Sequence, residues 1–307
     1  MRILVLGAGA VGGYFGGRLA AAGRDVTFLV RPPRAKRLAE DGLVIRSPHG
    51  DLTVSDPVTV TADAVDGPYD LILLSAKAYD LDSALDAIAP AVGSGTAVLP
   101  LLNGMRHLDL LDKRFGPGTA LGGLCMIAAV LDPDGTIRHL NDLHLLVHGE
   151  RGTDTTRIAA IDAALADAGF DSRRSDDVLA EMWEKWVFIA TGAGITSLMR
   201  APVGDIVAAG GTALTEQLIA EAAAIAAGAG YAPRPQALEN TRTMFTTPGS
   251  LMTASMLRDI EQGARVEVDH VLGDLLARSS GPDPAVLRTA YVHVKAYEAR
   301  RAREAGS

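Results

Sequence analysis

The chain has 307 residues, 48% apolar and 21% charged, which is the balance of a globular protein with room for two ordinary domains. Its net charge of −8 and pI of 5.4 argue against nucleic acid or an anionic membrane as the main partner, although a few well-placed cations can still gather an anionic substrate. The single cysteine, Cys125, excludes an internal disulfide framework and a cysteine-based zinc site. It lies in the apolar run GGLCMIAAV and is expected as buried filler rather than a reactive thiol.

Residues 2–6 (RILVL) are a short apolar strand, followed by a glycine turn and a helix over 11–22. A second strand covers 25–30, with Arg31 at its end, and 43–60 alternates in the manner of short strands. DLILLSAK at 70–77 is a buried strand with Lys77 at its carboxyl end. A helix follows over 80–90, and 95–105 is another buried strand that leaves Asn103-Gly104 at its mouth. Apolar strands alternating with helices predict a parallel sheet covered on both faces, with 119–130 and 136–148 as further strands near its edge. GTDTTR at 152–157 reads as the cap of a helix over 156–168. From 176 onward the period is helical: a long helix through MWEKWVFIATGAGITSLM, then helices over 212–228, 234–246, 252–278 and 284–304, with RRAREAGS as a frayed tail. The expected organisation is an α/β Rossmann-type domain over 1–175 and an all-α domain over 176–307. No segment reaches the roughly 18 apolar residues of a membrane span, and no signal-peptide apolar region opens the chain, so a cytoplasmic protein is expected. Apolar helices in the second half leave open a homodimer interface or only their own core.

Gly7-Ala8-Gly9-Ala10-Val11-Gly12 is G-x-G-x-x-G between a strand and a helix, the context that makes this pattern specific for a dinucleotide. Gly7 permits the tight turn, Gly9 lets the backbone approach a pyrophosphate, and Gly12 permits close helix–strand packing. The helix N-terminus offers free N–H groups to the phosphates. An Asp or Glu at the end of the second strand would accept from a ribose 2′-hydroxyl. The sequence instead has Arg31, whose guanidinium suits a 2′-phosphate, so NADPH is the expected cofactor. Arg34 and Lys36 fit a solvated basic turn.

Ligands of open parallel sheets lie beyond the strands' carboxyl ends. Lys77 is placed there, either against the cofactor or merely exposed, and so is Asn103, either functional or part of a turn. Lys185 lies inside an otherwise apolar helix, where an ammonium needs a partner or a task, or else snorkels to the surface. Desolvation brings a lysine towards the range useful to a general acid. His139, His144 and His148 lack the carboxylate spacing of a metal site; surface or structural roles are expected, and no metal.

GAGAVG, AKAYD around Lys77, LLNGM around Asn103, MWEKWVF around Lys185 and ASMLRDIEQGARVEVD at 254–269 together resemble the 2-dehydropantoate 2-reductases (ketopantoate reductases) over nearly the whole chain. The resemblance implies NADPH-dependent reduction of a 2-oxo acid to a 2-hydroxy acid, in this family ketopantoate to pantoate in pantothenate biosynthesis. It implies Lys185 as general acid, Asn103 as the group orienting substrate and nicotinamide, and Ser255 on the substrate carboxylate. It further places Glu267 on the substrate hydroxyl and the lysine, and Lys77 against the cofactor. By spacing alone, Ser255 and Glu267 are ordinary helix residues. One departure stands out. Family members usually carry asparagines four and eight residues after the lysine, where this chain has Ile189 and Ala193 on the same helix face. Loss of two polar groups points to a different, more apolar 2-oxo acid as an alternative substrate. A β-hydroxyacid dehydrogenase and a non-catalytic NADP-binding regulator are the competing readings.

Overall fold

The computed structural model describes residues 1–153 and 155–305. The chain forms two compact units. One comprises Met1–Leu102 with His107–Val178, and the other comprises Asn103–Arg106 with the chain from Leu179 onward.

In the first unit the strands β1 (Arg2–Leu6), β2 (Asp25–Leu29), β5 (Thr59–Val60), β6 (Leu71–Leu74) and β7 (Ala97–Pro100) make a parallel sheet in the order β5-β2-β1-β6-β7. Alternate residues of its central strands are buried on opposite faces: Ile3, Val5, Leu71 and Leu73 on one, Leu4, Ile72, Leu74 and Val98 on the other. Burial on both faces is why these strands read as unbroken apolar runs. The helix α1 (Ala10–Ala21) follows β1.

The strands over 119–130 and 136–148 are not at the edge of this sheet. They are β8 (Gly122–Leu131) and β9 (Ile137–Gly149), which belong to a second sheet. There β9 pairs with β3 (Leu43–Arg46) and β10 (Asp171–Arg174), β3 pairs with β4 (Leu52–Val54), and β8 runs antiparallel to β9. Helix α1 lies between the two sheets, and its glycines show why it can. A Cβ on Gly16 would fall 2.7 Å from the Phe28 ring of the parallel sheet. One on Gly17 would fall 2.7 Å from Leu43, and one on Gly13 2.4 Å from Ile137, both of the second sheet. The bulge in β8 between Ile127 and Ala129 leaves the Ala128 N–H without a ladder partner, and Asn141 Oδ1 accepts it at 2.9 Å.

Two helices of this unit go beyond the sequence pattern: α2 (Pro32–Asp41), whose one buried residue is Leu38, and α4 (Arg106–Phe115). Both carry charge at half of their positions. Helix α3 (Leu81–Ile88) follows β6, and α5 (Thr156–Leu165) precedes β10. Asp154 of the expected cap GTDTTR lies outside the described residues. Thr155 is the N-cap of α5, but its hydroxyl bonds Glu150 at 2.5 Å rather than the helix.

The second unit is helical: most of α6 (Val178–Met199), then α7 (Val203–Ala208), α8 (Thr212–Gly228), α9 (Pro235–Thr246), α10 (Ser255–Glu261), α11 (Asp274–Ala277) and α12 (Ala285–Ala305). The continuous helix expected over 252–278 does not exist. Helix α10 stops at Gly263, which takes φ +67 just past the C-cap Gln262, a left-handed conformation that only glycine adopts cheaply. The chain then runs irregularly to Glu267 and forms a π turn over Asp269–Gly273 that leads into α11. The expected frayed tail is helical through Ala305, held in part by Arg301 Nε donating to Gly263 O at 2.7 Å; Gly306 and Ser307 lie outside the described residues. Among the described residues no helix is long and apolar enough to cross a membrane.

The three histidines are buried rather than surface groups, at 4%, 7% and 0% exposure for His139, His144 and His148. His144 stacks on His49 with ring centres 3.8 Å apart, and its Nδ1 meets the Tyr14 hydroxyl at 2.8 Å. His139 lies beside the same stack. Among the described residues no group of three or more His, Cys, Asp and Glu could hold a metal ion. Burial pushes His144 below its ordinary pKa, and His49, His139 and Arg18 push the same way against the opposing Asp171. As pH falls through the ordinary histidine range the unfolded chain therefore takes a proton before the folded one does, and stability is lost. The melting temperature should fall between pH 7.5 and pH 5.5, and His144→Gln should make that fall shallower. Equal slopes in thermal melts of the two proteins would contradict this.

Candidate active site

Each glycine of the loop after β1 has a distinct physical reason. Gly7 takes φ +88, and its N–H donates to Leu29 O at 2.9 Å, closing the turn onto β2. A Cβ on Gly12 would sit 2.0 Å from Ser75 Oγ and 2.3 Å from Gly7 O, so only glycine lets α1 start this close to the strands. Ser75 Oγ itself donates to Leu6 O at 2.8 Å, locking the end of β6 to the loop. A Cβ on Gly9 would meet nothing within 4 Å, so the backbone there faces open space. Gly9 is also the N-cap of α1, and as glycine it offers no side chain to bond the first N–H groups of the helix. An open approach to uncapped helix N–H groups fits a dinucleotide pyrophosphate. Ala8 is buried within this loop, and Ala10 and Val11 are half-buried at the start of the helix.

Arg31 is the N-cap of α2. Its side chain is 77% exposed and pairs with Asp80 at 2.8 Å. Asp80 ends a short 3₁₀ turn over Ala78–Asp80 whose N-cap is the exposed Lys77, so Arg31 and the Lys77 segment are brought together. Arg34 is not a solvated turn residue. It lies on the first turns of α2, half-buried, and its Nε donates to Ala8 O of the glycine loop at 3.1 Å while Nη1 donates to Gly135 O at 3.2 Å. Lys36 is exposed and pairs with Glu40 along the helix at 3.8 Å.

In the second unit Lys185 is half-buried on α6, beside the buried Met182, Trp183, Trp186 and Val187. Ile189 is half-buried and Ala193 is 3% exposed. The chain leaves β7, enters this unit at Asn103 and returns at His107. Asn103 is half-buried, and Gly104 takes φ +76. Glu267 is half-buried in the irregular stretch before the π turn, not on a helix as its spacing suggested, and its carbonyl accepts from the N–H groups of His270 at 3.1 Å and Val271 at 2.9 Å. Trp186, next in sequence to Lys185, donates from Nε1 to Val271 O at 2.9 Å, which ties the lysine's helix to the turn that follows Glu267. The His270 ring in turn is hydrogen-bonded to the backbone of Asn103. Ser255 is exposed at the first position of α10, and the preceding Ala254 N–H donates to Thr196 Oγ1 on α6 at 3.3 Å. Asn103, Glu267, Ser255 and the helix of Lys185 are thus joined through His270, Trp186 and Thr196. Sequence reasoning missed those three linking residues. His270 lies three residues after Glu267, immediately past the segment 254–269 that carries the resemblance.

Comparison with known proteins agrees with this architecture. The family model described as "Ketopantoate reductase PanE/ApbA" matches residues 3–151, and its partner "Ketopantoate reductase PanE/ApbA C terminal" matches residues 177–298. An "Uncharacterized oxidoreductase YkpB" of Bacillus subtilis is 37% identical over 305 residues, covering 98% of this chain and 100% of the relative. A 2-dehydropantoate 2-reductase of Halobacterium salinarum is 29% identical over 93% of this chain and 94% of its own length. The crystal structure of 2-dehydropantoate 2-reductase from Geobacter metallireducens superposes with a TM-score of 0.86 at 28% identity, covering 96% of this chain and 99% of that one. Two family models that between them cover both units, and a fold shared end to end, establish that the chain belongs to the ketopantoate reductase family of nicotinamide-dependent oxidoreductases.

Proposed function

We propose that the chain reduces a 2-oxo acid to the 2-hydroxy acid with NADPH, with ketopantoate as the leading substrate and pantothenate biosynthesis as the setting. The observation that carries this reading is the linkage, within one unit, of Lys185's helix to the Glu267 turn and of that turn to Asn103. NADPH supplies the hydride when bound. Gly7, Gly9 and Gly12 shape the loop for its pyrophosphate, with Ala8, Ala10 and Val11 supplying the backbone around it. Arg31 would hold the 2′-phosphate, and Lys77 would contact the cofactor.

Negative charge grows on the carbonyl oxygen as the carbonyl carbon is reduced, so a donor must be in place beforehand. Lys185 Nζ gives that oxygen its proton. Glu267 accepts from the lysine and from the nascent hydroxyl, and keeps the ammonium charged. The Asn103 amide orients the carbonyl, and Ser255 Oγ donates to the substrate carboxylate.

A second reading, a bulkier and more apolar 2-oxo acid, is favoured by one observation. Ile189 and Ala193 give the helix face beyond Lys185 no hydrogen-bonding side chain. A site that lacks a polar partner discriminates weakly in favour of a hydroxylated substrate. The test is kcat/KM for ketopantoate against branched aliphatic and aromatic 2-oxo acids, in wild type and in Ile189→Asn. If ketopantoate is the substrate, it leads the panel in wild type. If the apolar reading holds, an apolar acid leads, and Ile189→Asn shifts the ratio towards ketopantoate by about tenfold, the worth of one hydrogen bond. An unchanged ratio would remove Ile189 from the specificity argument.

A further inference from the structure

His270 takes no part in the proposed chemistry, yet it is buried, at 5% exposure, in the same unit as Asn103, Lys185 and Glu267. Its ring is hydrogen-bonded to the Asn103 backbone, and the same ring packs against Gly104. A Cβ built on Gly104 would fall 3.2 Å from His270 Cδ2, 3.4 Å from Nε2 and 3.0 Å from the His270 carbonyl oxygen. At the left-handed φ of Gly104 any side chain is strained, and a Cβ there would press on the His270 ring.

The residue also stands in an unusual segment. It lies within the π turn over Asp269–Gly273, and π turns are rare and cluster at functional sites. One end of the turn is held by two bonds to Glu267 O and its middle by the buried Trp186 indole. Burial pushes the His270 imidazole below its ordinary pKa against the pull of Glu267, of the hydrogen bond to the Asn103 backbone and of Asp274, with Arg106 acting in the same direction as burial.

We propose that His270 is a positioning residue: it fixes the backbone of Asn103-Gly104 and so aims the Asn103 amide at the substrate carbonyl. The inference rests on the role given to Asn103 above. A core histidine without this task would also be buried and bonded, so the discriminating readouts are local order at Asn103 and the division of the effect between kcat and cofactor binding.

The experiment compares wild type with His270→Leu, His270→Gln and Gly104→Ala. Hydrogen exchange in the cofactor-free protein reports residues 103–106, and steady-state kinetics with a panel of 2-oxo acids at saturating NADPH reports turnover. His270→Leu should speed exchange in 103–106 about tenfold while leaving the rest of α6 and α12 protected. It should lower kcat about 10- to 100-fold, with NADPH Kd within about twofold, because a displacement of about 1 Å in an orienting group is enough for such a loss. His270→Gln retains an N–H donor and should recover most of both losses. Gly104→Ala presses on the ring from the other side and should reproduce the leucine phenotype. It decides the matter, with the glutamine variant, if the leucine variant does not fold.

Unchanged exchange in folded His270→Leu or Gly104→Ala would overturn the positioning role. So would faster exchange with unchanged kcat, or no recovery in His270→Gln. A wild type that turns over none of the acids would instead overturn the proposed function, and the exchange data would still decide whether His270 holds Asn103.

Discussion

Lys185→Ala should lower kcat about 10²- to 10⁴-fold, the contribution typical of a positioned general acid, while NADPH affinity stays within about twofold. Lys185 lies on α6 in the second unit, whereas the glycine loop and Arg31 lie in the first. Lys185 is half-buried, so alanine also removes some buried stem; a melting curve distinguishes that from chemistry. An equal fall in kcat and kcat/KM marks an interaction made in the transition state, and a rise in KM alone marks simple binding. Unchanged turnover in the folded variant would end the general-acid assignment.

Arg31→Ala should weaken NADPH about 10- to 100-fold and NADH by less than about twofold, because a hydrogen bond to a charged group contributes about 1.5–3 kcal/mol. The pair with Asp80 does not remove Arg31 from consideration. The arginine side chain is 77% exposed and that of Asp80 31%, and ion pairs this open are worth little, so a phosphate dianion can compete for the guanidinium. Arg34, bonded to the loop carbonyl of Ala8, is a structural brace whose loss should weaken both cofactors alike. Equal weakening of NADPH and NADH by Arg31→Ala, in fluorescence titrations, would contradict the 2′-phosphate assignment.

Much of this was legible in the sequence. The parallel sheet announced itself because strands buried on both faces are apolar throughout, and the glycine loop because strand, glycines and helix stand in one order. The helices of the second half were legible because their apolar residues recur every turn. The second sheet was not, since β3 and β9 meet from more than ninety residues apart and no local pattern records such pairing. The break at Gly263 was hidden because one glycine inside a helical pattern is ordinarily tolerated, and only its left-handed φ makes it a stop. Lys185 and Asn103 stood out by burial and strand-end position. Ser255 and Glu267 needed the family resemblance, because an exposed serine at a helix start and a carboxylate in a loop carry no local signature. His270 escaped because its partner, Asn103, lies far away along the chain.

The most direct test of the central claim is a single assay: purified protein, NADPH and ketopantoate beside a panel of branched and aromatic 2-oxo acids, following loss of nicotinamide absorbance and formation of the 2-hydroxy acid. Saturable NADPH oxidation with one hydroxy acid formed per NADPH consumed, on ketopantoate or on an apolar 2-oxo acid, is the predicted result. NADPH binding without turnover of any 2-oxo acid would contradict it.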